Sequence, residues 1–553
     1  MRKQIQEAFQ KGLYPQALDL IEGTSQFEHF RMETLYHMAR YSAILETNHN
    51  LITPTAEEIF VLLQNETFRS RLSRQITIIN ALIQVSKLEE ATKYLEILIG
   101  LIPYHYLGTI SKLDIESDDI LLSPYALAIR IYEMQGHYAN SKNNDIEAIG
   151  YYSLGYELSK KFNSDYYQMS CLYWISICYG FAGNLTLAAQ KNQEALRLSE
   201  KLVNKPVMAY ILGWRATWHF IRFELNEMYE VLHGILHMED HIYDLQPVIF
   251  AHIYFGYINM LRGNLDSGLF HTNLSLTMID NNENKQYLPL ALFYFGILER
   301  SLKRTRESVT HFHKVIEIRR ENMDQHPQNL ISLGNTYYQL FLSYIDLNQL
   351  EDAASTIEEL DKLYESSRNQ YLNLMKSTAQ SIYFKQMGTL ATKVQAIDIL
   401  REIMTQSIFE QGRFISTYAL FILYELLFDE FVITNNEDIL KESKELLERI
   451  RHSIENQGLT ALYGEIILLQ AKFSLMVDDF DKFQEYMESF NELTGEKELT
   501  LLSSKAKLLQ VEFDEKISRI TTVIESNKPL MDKIKIDEIK DYLDSLSEMM
   551  KRG

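Results

Sequence analysis

An all-α solenoid of about thirteen antiparallel helix pairs is the fold class that this sequence predicts. Three observations predict it. The 553 residues include only 22 Gly and 9 Pro, too few turn-formers for a large β-sandwich or barrel, and no Gly/Pro/Ser-rich linker interrupts them. A helix–turn–helix pattern recurs along the chain, with Ser176, Thr217, Gly256 and Gly296 at equivalent places 41, 39 and 40 residues apart. Hydrophobic residues make up 46 %, enough for an extensive core, which excludes wholesale disorder. At roughly 150 residues per domain the length alone would suggest three or four domains; the repeat replaces them with one continuous stack. Within it, 1–165 reads as degenerate N-terminal pairs, 166–410 as central repeats and 411–553 as C-terminal repeats with capping helices.

In chain order, EAFQKGLYPQALDLIE (Glu7 to Glu22) and ALIQVSKLEEATKYLEIL (Ala81 to Leu98) fit the pattern. Segments near 30–45, 54–65, 412–430 and 436–457 are helical by hydrophobic period but carry little repeat signature. After Gly136, the polar run Ala139 to Asp145 (ANSKNND) is expected to lengthen a turn into a surface loop. The clearest copy is LYWISICYGFAGNLTLAAQKNQEAL, Leu172 to Leu196. Tyr179 ends its first helix, Gly183-Asn184 make the turn, and the small Ala188 and Ala195 let the second helix approach closely. Copies follow with Gly256, Gly263-Asn264 and Gly268, with Gly296 and Phe312, with Tyr344 and Ala353, and with Ala471 and Phe483. From Thr500 to about Ser526 one long helix is expected; Pro529 interrupts it, and an amphipathic helix from Ile536 to Met550 follows. Such a pair would cap a stack that otherwise exposes apolar surface.

With 54 Lys+Arg against 75 Asp+Glu the formal charge is −21, which disfavours nucleic acid and anionic membrane as partners. The densest basic stretch, Lys303, Arg304, Arg306, Lys314, Arg319 and Arg320, reads as the solvated face of one helix. Cys171 and Cys178 lie seven residues apart, so on a helix their Cα atoms stand ~10 Å apart, beyond the ~7 Å reach of a disulfide. They read as buried thiols of a reducing compartment. The N-terminus MRKQIQEAFQKG lacks the apolar region of a signal peptide. The longest apolar stretch, Tyr418 to Phe428, contains Glu425 and is too short to span a bilayer. A cytoplasmic protein without membrane insertion is the expectation.

Catalytic signatures are missing: the sequence has no phosphate-cradling GxxxxGK[ST], no GxGxxG after a strand, no GxSxG, no CxxC and no HExxH. His233, His237 and His241 recur at intervals of four with Glu239 and Asp240 between them. Two readings are open for them, a divalent-metal grip on one helix face or a polar helix end. His311 and His313 flank Phe312 and point to different faces. Neither an enzymatic activity nor a cofactor is expected.

The repeating helix pair with small residues at its close contacts resembles the tetratricopeptide repeat, over nearly the whole chain and with degenerate individual matches. That family's unit is about 34 residues; its Trp-Leu-Gly start and closing Pro are largely missing here. The chain looks like the long stand-alone repeat proteins of archaea and bacteria that carry no catalytic domain. The resemblance implies a right-handed superhelix whose concave face is lined from sites three before and one after the small residue of each first helix. Those sites hold Tyr173 and Ile177, Trp214 and Trp218, Ile253 and Tyr257, Phe293 and Ile297, and Tyr338 and Leu342. Such a strip is either a groove for an apolar or amphipathic helix or extended peptide, or core between neighbouring units. The Lys and Asn with which the family clamps a C-terminal carboxylate are absent from these sites, so that activity does not carry over. The resemblance implies a non-catalytic protein–protein interaction scaffold for an unidentified protein or peptide. The alternative is a regulatory or sensor solenoid for a signalling peptide or small ligand.

Overall fold

The computed structural model describes residues 1–22, 27–38, 66–84, 87–101, 121–142, 144–182, 184–222, 224–242, 244–282, 285–321, 328–405, 413–434, 436–454, 460–477, 479–494 and 506–518. Among the described residues every regular element is a helix. The chain falls into two compact units: Met1–Ile221 with Glu227–Ala251, and Arg222–Asn226 with His252–Met323 and the chain from Gln328 onward.

Unit 1 contains α1 (Arg2–Gln10), α2 (Tyr14–Ile21), α3 (Glu28–His37), α4 (Glu66–Gln84), α5 (Leu88–Leu101), α6 (Pro124–Ser141), α7 (Asp145–Lys161), α8 (Asp165–Phe181), α9 (Leu185–Leu202) and α10 (Lys205–Ile221). Residues of both units occur in α11 (Leu225–Leu236) and α12 (Gln246–Leu261). Unit 2 continues with α13 (Leu265–Asn282), α14 (Leu288–Ser301), α15 (Thr305–Glu321), α16 (Gln328–Asp346), α17 (Leu350–Ser367), α18 (Gln370–Met387) and α19 (Leu390–Met404). Its further described helices are α20 (Arg413–Thr434), α21 (Glu437–Ile454), α22 (Thr460–Met476), α23 (Phe480–Thr494) and α24, over 506–518. Most consecutive helices pack on one another, an all-α solenoid architecture. The helices expected near 54–65 and 536–550, and Gly183 of the clearest repeat turn, lie outside the described residues.

One turn recurs at the repeat period. The amides of Asn144, Asn184, Asn264 and Arg304 donate to the carbonyls of Ala139, Tyr179, Asn259 and Glu299 at 3.0, 2.8, 2.8 and 2.8 Å. Each bond reaches back five residues and satisfies a carbonyl that the helix end would leave orphaned. Ahead of two of them, Gly263 (φ 83°) and Lys303 (φ 63°) take the left-handed conformation, which is free of steric cost only for glycine. The Asn side chains then cap the next helix: Asn144 accepts from Glu147 N at 3.4 Å, Asn184 from Leu187 N at 3.1 Å and Asn264 from Ser267 N at 3.4 Å. This corrects the expected ANSKNND loop. Helix α6 runs on to Ser141 with Ala139 buried, and Asn144 is the ordinary capping residue of an ordinary turn.

Within pairs the close contact also repeats, with Gly136, Gly256 and Gly296 standing against Tyr152, Thr272 and Phe312. A Cβ on Gly296 would come within 2.7 Å of the fully buried Phe312 ring.

Of the basic stretch, Lys303, Arg304, Arg306, Lys314 and Arg320 are exposed, as expected, and Arg319 departs from that reading. Arg319 is half-buried, donates to Ser332 O and Thr336 Oγ1 of α16 and covers the Phe293 ring at 5.5 Å. Arg320 pairs with Glu359 of α17 at 2.7 Å. At Arg319 the next pair packs against the end of α15, and that side chain ties the two pairs together. At the far end of unit 2, α24 lays Phe513 on Phe483 (centroids 4.5 Å apart, 7° between planes) and brings Glu512 to the buried Lys472.

Unit 1 turns back on itself. Asn204, at the start of α10, donates to Gln10 O of α1 at 3.0 Å, and Phe9 lies 5.8 Å from the Tyr166 ring of α8. One hydrophobic cluster joins Ile5, Phe9 and Phe30 to Ile129, Leu172 and Ile211.

Replacing Gly296 by Ala is expected to destabilise unit 2 by about 1–3 kcal/mol through overpacking, against a helix-propensity gain of about 1 kcal/mol. Gly150 of α7 has nothing within 4 Å of its would-be Cβ, so Gly150→Ala is expected to stabilise by about 0.5–1 kcal/mol. Denaturant midpoints of the two variants against the parent chain check the opposite signs.

Candidate functional site

The enclosure of unit 1 leaves a cavity of about 180 Å³. Four helices supply its polar wall at helical spacing. Glu33 and His37 lie one turn apart on α3, Asn80 and Gln84 one turn apart on α4, and Arg130, Glu133 and His137 follow one another along α6. On α8, Tyr166, Ser170, Tyr173 and Trp174 form the aromatic side. Tyr210 and Asp244 close it from α10 and from the segment ahead of α12. It opens past Gln84, which is exposed, and Tyr36 and Tyr173, which are half-buried.

Arg130 is the anchor of the polar wall. Its guanidinium donates to Glu33 of α3 and to Ser73 Oγ and Thr77 Oγ1 of α4, the last at 3.0 Å. Burial works against its charge, but Glu33, then Tyr167, Tyr166 and Glu133, raise its pKa and keep it a cation. His37 is held below the usual histidine range by burial, with Tyr166 OH 3.3 Å from its Nε2 and Tyr14 stacked on it at 5.2 Å. Burial takes His137 further down, to about 3; its Nδ1 lies 2.7 Å from Tyr152 OH and its ring meets Trp174 edge-on at 4.4 Å. Both imidazoles are neutral at physiological pH.

The carboxylates move the other way. Burial raises Glu133 to about 7, against hydrogen bonds from Ser170 and Cys171 and the charge of Arg130; Cys171 Sγ donates to it at 3.6 Å. Burial also raises Asp244, although Tyr210 OH and the amide of Gln246 donate to it, the latter at 3.1 Å. The Asn80 side-chain oxygen is buried and without a hydrogen-bond partner. The Cys171 thiol is pushed well up by burial and then by Glu133, so it is not a nucleophile near neutrality.

Of the residues singled out from the sequence, Tyr173 is on this cavity. Ile177 is buried behind it in the core. Trp214 is half-buried and stacks on Trp218 at 5.3 Å, with Phe181 edge-on at 5.2 Å. Trp218 is 3 % exposed, its ring over Gly180 where a Cβ would meet it at 2.0 Å. In unit 2, Ile253, Tyr257, Ile297, Tyr338 and Leu342 are buried, Tyr257 against Tyr294 at 4.7 Å. Phe293 is half-buried beneath Arg319. The rings of His233 and His237 are 4.3 Å apart, while His241 belongs to a separate 3-10 turn, Glu239–His241. Among the described residues no group of three His, Cys, Asp or Glu side chains gathers as a metal site. Cys171 and Cys178 are both buried and free.

Sequence reasoning missed the polar wall, although a signal was present. Arg130, Glu133 and His137 recur on one face of the otherwise apolar PYALAIRIYEMQGHYANS, where an ordinary core helix would carry no charge.

No protein-family model matches the sequence, and no curated relative matches it. Among solved structures the chain is similar to yeast Tom70, at 13 % identity over 93 % of this chain and 95 % of that one, TM-score 0.39. It is also similar to a Rap protein complexed with competence and sporulation factor, at 12 % identity over 90 % and 99 %, TM-score 0.29. A third likeness is to the APC/C hetero-tetramer Cut9–Hcn1, at 11 % identity over 92 % and 95 %, TM-score 0.30. None of the three reaches a TM-score of 0.5, and none bears on what this chain binds. No helix among the described residues is long and apolar enough to cross a membrane.

Trp218→Ala is expected to cost about 3–5 kcal/mol of stability, as for other buried aromatics. Trp214→Ala, removing a half-buried ring, is expected to cost clearly less. Urea unfolding of each single variant, followed by circular dichroism, measures the difference.

Proposed function

We propose that this chain is a non-catalytic binding protein, a helical-repeat scaffold whose first unit takes a peptide segment or small ligand into the cavity between α3, α4, α6 and α8. The observation that carries this reading is the cavity's lining: charged and amide groups, most of them buried, gathered from α3, α4, α6 and the segment at Asp244 around a space that none of their side chains fills. A core built only for stability gains little from such groups, since burying a charge costs more than its pairing returns. A cavity of about 150 Å³ accommodates a benzene ring. The one here therefore suits a single side chain, a peptide end or a compact small molecule, with the remainder of a longer ligand outside.

Catalysis is not supported by the same groups. The histidines are held neutral, and the Cys171 thiol beside Glu133 is held protonated by burial, so neither is set up to share an acid–base or nucleophilic role with it. A second reading, partner binding on half-buried surface aromatics, rests on Trp214.

The two readings separate in one experiment. A peptide and metabolite library is screened by thermal shift against the full chain, Tyr173→Ala and Trp214→Ala. Hits lost on Tyr173→Ala and kept on Trp214→Ala are expected. The reverse pattern would move the site out of the cavity and onto the surface rings.

A further inference from the structure

Resting on the cavity as the binding site, we infer that the group it takes is a primary ammonium carried on an aromatic or apolar stem. The charge inventory of the wall sets the sign. Among the described lining residues Arg130 is the single fully charged cation, and Glu33 answers it directly. With His37 and His137 neutral, the wall sets the one cation, Arg130, against three carboxyl groups, Glu33, Glu133 and Asp244. An anionic ligand would meet Glu133 and Asp244, while the guanidinium that might receive it is already turned to Glu33, Ser73 and Thr77.

A second observation points the same way and does not depend on charge. The Asn80 side chain is 8 % exposed, lines the cavity, and its oxygen has no hydrogen-bond partner. A buried acceptor left unmet costs about 1–3 kcal/mol, and what it lacks is a donor. An ammonium brings three donors and no acceptor, which suits a wall with an unmet amide oxygen and an excess of carboxyl groups. The remaining wall, Tyr36, Tyr173 and Trp174, is aromatic, which suits a cation on an apolar stem.

Binding then carries a proton signature. Glu133 faces Ser170, Cys171, Tyr166 and Tyr167 of α8, Tyr152 of α7, Glu33 of α3, and Arg130 and His137 of its own helix. With its pKa near 7 in the empty cavity, it is largely protonated below that pH. An ammonium beside it favours the ionised form, so uptake at lower pH must expel a proton. Affinity therefore rises with pH up to about 7 and levels off above it.

The test uses the full chain and tyramine as probe, with 4-ethylphenol and 3-(4-hydroxyphenyl)propionate as neutral and anionic counterparts of similar shape. Calorimetry and tryptophan fluorescence are followed between pH about 6 and about 8. Tyramine is expected to bind at least about tenfold tighter than either counterpart, weakening below pH 7. Glu133→Gln and, separately, Asp244→Asn are each expected to lose about tenfold, and Glu133→Gln to flatten the pH dependence; both are near-isosteric, and circular dichroism checks their folding. Tyr-Gly-Gly and its N-acetyl form distinguish the sources of the amine. Binding abolished by acetylation assigns a peptide's amino end, and binding of tyramine alone assigns a free amine; either supports the inference. If a counterpart binds as tightly as tyramine and is lost on Tyr173→Ala, the cavity remains the site but the ammonium inference fails. It fails also if tyramine binding ignores both carboxylate variants. If none of the probes binds at millimolar concentration, the cavity reading falls with it.

Discussion

A guanidinium deep inside a helical bundle has to be met by a carboxylate, and Arg130 meets Glu33. The same guanidinium reaches Ser73 and Thr77, so α3, α4 and α6 can pack only in the register that brings those four side chains together. Removing either charge would leave the other buried and unpaired, a penalty of about 3–5 kcal/mol. The rest of unit 1 follows from that fixed register. Glu133 and His137 sit one and two turns further along the helix that Arg130 anchors, and the clasp of Asn204 on α1 holds the enclosure around them. The cavity is what remains when polar helix faces are turned inward and cannot close on one another.

Unit 2 uses its buried and half-buried cations differently. Arg300 of α14 donates to Gln339 of α16 at 2.8 Å, Lys385 of α18 pairs with Glu425 of α20 at 2.5 Å, and Lys472 of α22 pairs with Glu512 of α24. Each tie runs from the first helix of one pair to the first helix of the next. The same residue types that line a space in unit 1 thus serve as ties between successive pairs in unit 2. The difference lies in what stands opposite: a neighbouring side chain that satisfies the charge, or a gap.

The helix pairs were legible because their signals are local. A turn that needs an Asn to end one helix and cap the next, as at 144, 184 and 264, writes itself into a few consecutive residues. The site was largely illegible because it is assembled from α3, α4, α6 and α8, and no short window contains more than one wall. Tyr173 was reached through the register of the repeat, but the same register leads to Tyr257 and Tyr338, which are buried. Position in a repeat names a helix face; what covers that face depends on the neighbouring pair. ANSKNND misled because composition marks a loop, while one Asn at its end does the capping and the residues before it stay helical. Arg319 misled because a charge run on a helix looks solvated until the next pair packs over it.

Both cysteines of the chain lie on α8, within unit 1, and both are buried. Burial drives the Cys178 thiol up to about 12 and Cys171 well above its ordinary range. An alkylating reagent can therefore modify them only after α8 is uncovered and a thiolate forms. The rate of that modification becomes an intrinsic clock for the opening of α8 within the first unit. A molecule lodged against Tyr173 and Trp174 of the same helix would slow that clock, giving the chain a built-in report of occupancy that needs no label.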